Sequence, residues 1–173
     1  MSAPTLTTAR LTLAPPTLTD FEDSRDMWAD PVVVRHVGAR PFTDDETWTR
    51  LMRARGLWEV LGFGYWAVRE TSTGRYVGEV GFADLRRDIQ PSLMGLPEMG
   101  WVLSAWSHGQ GFGTEAVRAG LAWIDATLAP PVVPCIIDPE NAPSLALATK
   151  VGFTLKTHTT FKGSPIMVLE RRR

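Results

Sequence analysis

Cysteine is nearly absent from this chain: its 173 residues hold one, Cys135. A lone thiol cannot close an intrachain disulfide, which excludes a disulfide scaffold. Its neighbours Val132, Val133, Ile136 and Ile137 make it read as a buried apolar thiol. Histidine is scarce too. His36, His108 and His158 share no metal-ligand spacing, so no metal centre is expected. A charge excess is also missing, since 18 basic and 19 acidic side chains leave a formal net charge of −1. A nucleic-acid binder would usually carry a basic surplus, and none is expected as a partner. The closing Arg171-Arg172-Arg173 run reads as a solubilising tail. No apolar run reaches the length of a membrane span, and the first residues lack a charged-then-apolar secretion pattern. The expected compartment is the cytoplasm, with no membrane partner.

What is present is material for a core. Hydrophobic residues make up 44% and charged residues 21%, the balance of a soluble globular protein, and the length suits one domain over 1–173. Residues 1–7 read as frayed. Leu11 and Leu13 flank Thr12 in a first strand, ended by Pro15-Pro16. Asp20 to Ala29 reads as a short helix, and Val32-Val33-Val34 fits a helical turn or a strand fragment. Thr43-Asp44-Asp45-Glu46 carries a capping box, and Gly62 and Gly64 end the helix it starts. Tyr65 to Arg69 and Arg75 to Phe82 read as a hairpin. Residues 86–97 lack a period and read as a flexible, substrate-bordering loop. A strand over Glu98 to Leu103 leads to a helix from Thr114 to about Leu128. Val132 to Ile137 reads as a buried strand that Pro134 allows to pair on one side only. Asn141 caps another helix, with Pro143 in its first turn and Gly152 at its end. A last hairpin turns at Lys162-Gly163. This order predicts an α/β (α+β) fold with about seven mostly antiparallel strands and about four helices. Exposed strands near the C-terminus would suit a homodimer.

The chemistry gathers in E-M-G-W-V-L-S-A-W-S-H-G-Q-G-F-G-T-E-A, from Glu98 to Ala116. Gly109, Gly111 and Gly113 alternate through a bend, and a helix follows at once. Glycine lets a ligand approach the backbone, and a helix N-terminus offers unpaired N–H groups and partial positive charge. Together they suit an anion, most naturally a phosphate. Two familiar phosphate motifs do not apply. The P-loop requires G-K-[ST] where this chain has Gly113-Thr114-Glu115, and the dinucleotide fingerprint requires a different glycine spacing.

The bend H-G-Q-G-F-G-T-E-A, followed after one helix and one strand by N-A-P-S-L-A-L-A-T-K-V-G-F, resembles the GNAT superfamily of acyl-CoA-dependent N-acetyltransferases. E-M-G-W-V-L and the W-S-H-G-Q-G spacing look most like its Rim-type branch of ribosomal-protein N-terminal acetyltransferases. The resemblance implies acetyl-CoA as co-substrate and a splay between the fourth and fifth strands. It implies a pyrophosphate cradle formed by His108, Gly109, Gln110, Gly111, Phe112, Gly113 and Thr114. The pantetheine arm would run along Val102, Leu103 and Ser104, with Asn141 and Ser144 near the thioester. The glutamate of the central strand falls on Glu98. Two positions depart from the family pattern: His108 stands where Arg or Gln is usual, and Ala148 stands where many members carry a tyrosine that protonates the thiolate. Ser144 is the substitute that the Rim-type branch implies.

A primary amine is mostly protonated at neutral pH, because a lysine-like group has a pKa of roughly 10. A carboxylate such as Glu98 could take that proton, directly or through a water. The N–H of Val102 or Leu103 could meet the oxyanion. The expected function is acetyl transfer from acetyl-CoA to a primary amine, on a protein or peptide N-terminus or a small molecule, by direct attack in a ternary complex. The alternative is a non-catalytic acyl-CoA sensor of the same fold. Glu115 reads as closing the bend. The seven tryptophans read mostly as core, with Trp28, Trp58 and Trp66 as candidates for lining the acceptor pocket.

Overall fold

The computed structural model describes residues 3–38 and 40–173. Two antiparallel sheets make up the frame. The first runs in order β1 (Leu6–Thr7), β2 (Leu11–Ala14), β3 (Tyr65–Glu70), β4 (Tyr76–Ala83) and β5 (Glu98–Leu103). The second places β8 (Ser164–Arg172) between β6 (Val132–Ile137) and β7 (Thr154–Phe161). The helices are α1 (Phe21–Ala29), α2 (Pro31–Val34), α3 (Asp44–Leu61), α4 (Phe112–Thr127) and α5 (Ala142–Lys150).

Several sequence expectations change. Leu6–Thr7 is a paired strand, in register with Thr12 and Leu13. Its anchor is Glu115 on α4, which accepts from Thr8 Oγ1 at 2.7 Å and from the Arg10 N–H at 2.8 Å. Glu115 therefore ties the first strands to α4 and reaches the bend only through Arg10. Val32–Val34 is helical, with Asp30 capping the turn. The closing arginines are no free tail: Arg171 lies in β8 and pairs with Asp125 at 2.6 Å. The 86–97 loop is pinned, since Ile89 and Leu93 are buried against Val168 of β8.

Other expectations hold. Thr43 and Glu46 form the capping box of α3, and Gly62 ends that helix in the left-handed region at φ 74°. Asn141 caps α5 through its side-chain oxygen, which accepts the Ser144 N–H at 3.2 Å. Cys135 is buried and unbridged.

Alternation along the strands separates two faces. Leu11, Leu13, Trp66, Val68, Val80 and Phe82 pack with Ala116, Val117, Leu121 and Ile124 of α4. Trp58, Trp66 and Trp123 meet there with ring centroids 4.8–5.3 Å apart. Each such ring removes roughly 200 Å² from water, about 5 kcal/mol of transfer free energy at ~25 cal/mol/Å². Trp58 and Trp66 are thus core residues, which corrects their reading as pocket lining. The opposite face holds Met27, Trp28, Val33, Val34, Ala67 and Tyr76, with Val102 packed beside them.

Among the described residues no ladder joins β5 to β6, in keeping with a splay between them. Backbone alternation shows which groups are left over on each strand. The Ser104 N–H bonds Val77 C=O at 2.9 Å, so Val102 also points its backbone groups at β4, while Trp101 and Leu103 turn theirs to the open side. On β6, Arg173 N–H meets Pro131 C=O, so residues 132, 134 and 136 face away from β8. Pro134 thus aims its missing donor at the gap.

Candidate active site

The bend follows directly from β5. A 3-10 turn over Ala105–Ser107 leads to Gly109 at φ 74° and Gly111 at φ 81°, a conformation that costs other residues about 1–2 kcal/mol. The first bond within α4 runs from the Glu115 N–H to Gly111 C=O at 3.1 Å. Phe112, Gly113 and Thr114 therefore offer N–H groups with no partner inside the helix. Gly113 works differently from the other two glycines. It is helical, and a Cβ there would lie 2.7 Å from Leu103 Cδ1 and 2.9 Å from Leu147 Cδ1. Its bareness lets α4 press against β5 and α5.

Side chains brace this bend. His108 Nε2 donates to Leu103 C=O at 2.9 Å, which fixes the tautomer with the proton on Nε2. Gln110 Nε2 donates to Trp106 C=O at 2.6 Å. Arg10 donates to Gln110 C=O at 3.0 Å and lies 4.5 Å over the Phe112 ring. An open cleft of about 520 Å³ adjoins the helix start, lined by Arg10, Gly111, Thr114, Arg118 and Lys150 among others. Arg118 and Lys150 make no ion pair among the described residues. Two uncommitted cations thus lie beside helix N–H groups that lack a partner within the helix, and their positions on α4 and α5 gave no local motif in the sequence.

Glu98, at the head of β5, is buried. Arg87 from the preceding loop grips it, with Nε 2.8 Å from Oε2 and Nη2 3.0 Å from Oε1. Phe161 packs beneath that guanidinium at 5.0 Å. A carboxylate has about four acceptor sites, so this pair still leaves lone pairs free. Ser144 Oγ accepts the Trp101 indole N–H at 3.3 Å, which leaves the serine proton free to donate. Asn141 spends its side-chain oxygen on the cap and keeps its amide donors. Of the two N–H groups considered for an oxyanion, that of Val102 is committed to the β4 ladder. Leu103, with Trp101, faces the open side.

Three further side chains share the face of Glu98 and Val102. Glu79 sits opposite Val102, and its Oε1 accepts from Ser24, Trp28 and Tyr76. Tyr65 crosses bare backbone to reach β5, since a Cβ at Gly100 would collide with its hydroxyl. Burial, with the Glu98 charge next, pushes that phenol up to about 12, so it stays protonated. Arg50 of α3 stacks on Trp28 at 3.7 Å, and burial draws its pKa down. Sequence reading missed all three, because only strand pairing and the packing of α3 on the sheet bring them to this face. Burial likewise raises the Cys135 thiol, which keeps it from acting as a nucleophile. Among the described residues no cluster of His, Cys, Asp and Glu could hold a metal ion, and no helix is long and apolar enough to cross a membrane.

Residues 10–154 match the family model described as the acetyltransferase (GNAT) domain. The chain belongs to the GNAT family. A GNAT-family acetyltransferase structure from Bordetella pertussis is 31% identical, with a TM-score of 0.87, over 98% of this chain and 99% of that one. An acetyltransferase structure from Agrobacterium tumefaciens is 29% identical with a TM-score of 0.85, over 100% and 96%. Among curated proteins, the uncharacterized N-acetyltransferase p20 of Bacillus licheniformis is 26% identical over 156 residues, 86% of this chain and 82% of that protein. This GNAT protein is an acetyl-CoA-dependent acetyltransferase. Its own residues fit that co-substrate: unpaired N–H groups at the start of α4, two left-handed glycines before it, and the cations Arg118 and Lys150 beside it.

Proposed function

We propose that this GNAT enzyme acetylates a primary amine by direct attack in a ternary complex, as one domain over 1–173. The observation that carries the reading is the placement of Glu98 and the open edge of Leu103 on one strand that runs into the bend. Phosphate charge is held at Gly109 to Thr114, with His108 and Gln110 bracing the turn. The pantetheine arm runs past Val102, Leu103 and Ser104 in the gap between β5 and β6. Bound acetyl-CoA supplies a thioester carbonyl there.

The residues of this chain then divide the work. Glu98, oriented by Arg87, takes the proton that the amine must lose. The Leu103 or Trp101 N–H meets the developing oxyanion. Ser144, its lone pair occupied by Trp101, donates its hydroxyl proton as a hydrogen bond toward the departing sulfur. A thiol has a pKa of roughly 8.5, so its thiolate leaves without a stronger acid. Asn141 keeps the start of α5 in register with that site.

The acceptor belongs to the finer reading. A Vibrio cholerae structure described as a ribosomal-protein-serine acetyltransferase shares the fold at 20% identity and a TM-score of 0.77. A spermidine N-acetyltransferase from the same species does so at 14% and 0.72. Likeness at that distance concerns the fold alone. The W-S-H-G-Q-G spacing favours the Rim-type branch and so an N-terminal α-amine. The test is thermal stabilisation by acetyl-CoA followed by thiol release with an amine panel. Stabilisation with amine-dependent thiol release is the expected result. Stabilisation without release on any amine would refute amine transfer.

A further inference from the structure

On the face shared by Glu98, Glu79 and Val102, two hydrogen-bond donors lack acceptors. The Arg50 side chain makes no hydrogen bond or ion pair among the described residues, and its Nε is buried without a partner. Glu79 is the carboxylate whose charge bears most on it, yet the two form no ion pair. Every other guanidinium drawn against this face is committed: Arg69 to Asp20 and Asp23, and Arg87 to Glu98. A buried N–H without an acceptor is costly, and Arg50, itself half-buried, carries one at Nε. Trp28 and Phe42 hold the Arg50 plane in place, with its carbon centre 3.7 and 5.5 Å from their rings.

The Tyr65 hydroxyl is the second donor. It makes no side-chain hydrogen bond among the described residues, although its backbone carbonyl takes the Trp58 indole. The ring reaches β5 because Gly81 and Gly100 carry no side chains; a Cβ on either would strike the Tyr65 residue or its neighbour. The phenol stays protonated across the physiological range. Its electrostatic surroundings include Glu98, Arg50, Arg87 and Glu79, so both unpaired donors share a neighbourhood with both carboxylates.

We infer that Arg50 and Tyr65 read the oxygen of a carbonyl or carboxylate group attached to the carbon that bears the acceptor amine. This rests on the amine-transfer reading and narrows it. The amine is drawn to the carboxylates, and the adjacent oxygen is drawn to the two donors. α-Amino acids and peptide N-termini carry that pair of groups. Polyamines and simple alkylamines do not.

The test uses matched triplets with small, apolar, acidic and basic side chains. Each triplet holds an amino acid, a peptide beginning with it, and its decarboxylated amine. Thiol release gives kcat/KM for each. The oxygen-bearing members should exceed the bare amine by roughly ten- to hundredfold, as for hydrogen bonds to a charged group. The amino acid and peptide arms show which source supplies the oxygen. Arg50→Met keeps the stem on Trp28, and Tyr65→Phe keeps the ring over Gly100. Each should collapse the ratio, and neither should change the affinity for coenzyme A. Gly100→Ala, which evicts the hydroxyl, should match Tyr65→Phe, and the double variant should lose no more than either alone. Bare amines used as well as their partners would overturn the inference and leave amine transfer standing. So would an unchanged ratio in Arg50→Met, the result expected if a water simply fills the space between Arg50 Nε and the equally unpartnered Thr47 Oγ1. Thiol release with no amine at all being productive would refute amine transfer itself, and this inference with it.

Discussion

The bend at His108 to Thr114 and the face around Tyr65 are built by opposite means. The bend is a local device: seven consecutive residues hold two left-handed glycines and one helix start, the parts of the proposed anion site. The face is assembled at long range. Arg50 comes from α3, Tyr65 from β3, Glu79 from β4, Arg87 from a loop and Glu98 from β5. In the proposed reading the bend serves a ligand part that is the same in every turnover. The face can change residue by residue without disturbing that grip. The difference teaches that cofactor binding and acceptor choice are separable here, and experiments can press on the division.

Glu98→Gln should have the largest effect. It should lower kcat by roughly 10²–10⁴, the usual worth of a general base, with coenzyme A affinity unchanged by calorimetry. Unaltered turnover across the pH range would remove Glu98 from its role. Gly111→Val should move the other half alone. Forcing a branched residue to positive φ costs about 1–2 kcal/mol, so coenzyme A should bind roughly tenfold more weakly while the KM for the amine stays put. A shift in amine KM instead would break the division. Arg118→Ala and Lys150→Ala should each weaken coenzyme A by only roughly two- to fivefold, and less at high salt, because exposed charges are screened. Equal losses at low and high salt would argue that neither cation faces a phosphate.

The smallest effect concerns stability. Burial opposes the Glu115 charge, but the hydrogen bonds from Thr8 and Arg10 outweigh it and hold this carboxyl below its usual range. A depressed folded-state value means the stabilisation is complete above the ordinary carboxylate pKa and fades as pH falls below it. Glu115→Gln should cost roughly 1 kcal/mol near neutral pH, trimmed by the exposure of Arg10. The loss should vanish in acid. A pH-independent loss in denaturant melts would mean that packing and not charge is at stake.

The legibility of each part in the sequence follows the same division. Strand and helix order, the α3 capping box, the Asn141 cap and the glycine bend are written in neighbouring residues, so they could be read. Trp58 and Trp66 were misjudged because an indole at a ligand and an indole in a core look alike along a chain; only the meeting with Trp123 decides. The eighth strand escaped notice because the turn after Leu6–Thr7 is held at Thr8 and Arg10 by Glu115, more than a hundred residues away. Tyr65 appeared irrelevant to the chemistry while it was only a hairpin residue. Its reach depends on side chains missing from two other strands.

Pro134 gives the gap between the sheets a further meaning. Two extended strands with unused backbone groups facing each other would ordinarily zip together, and β5 offers such groups at Trp101 and at the Leu103 N–H. The strand opposite answers at position 134 with a ring nitrogen that has nothing to give. One imino acid thus works as a wedge against self-closure. It keeps a continuous sheet from sealing the gap in which the pantetheine arm is proposed to lie.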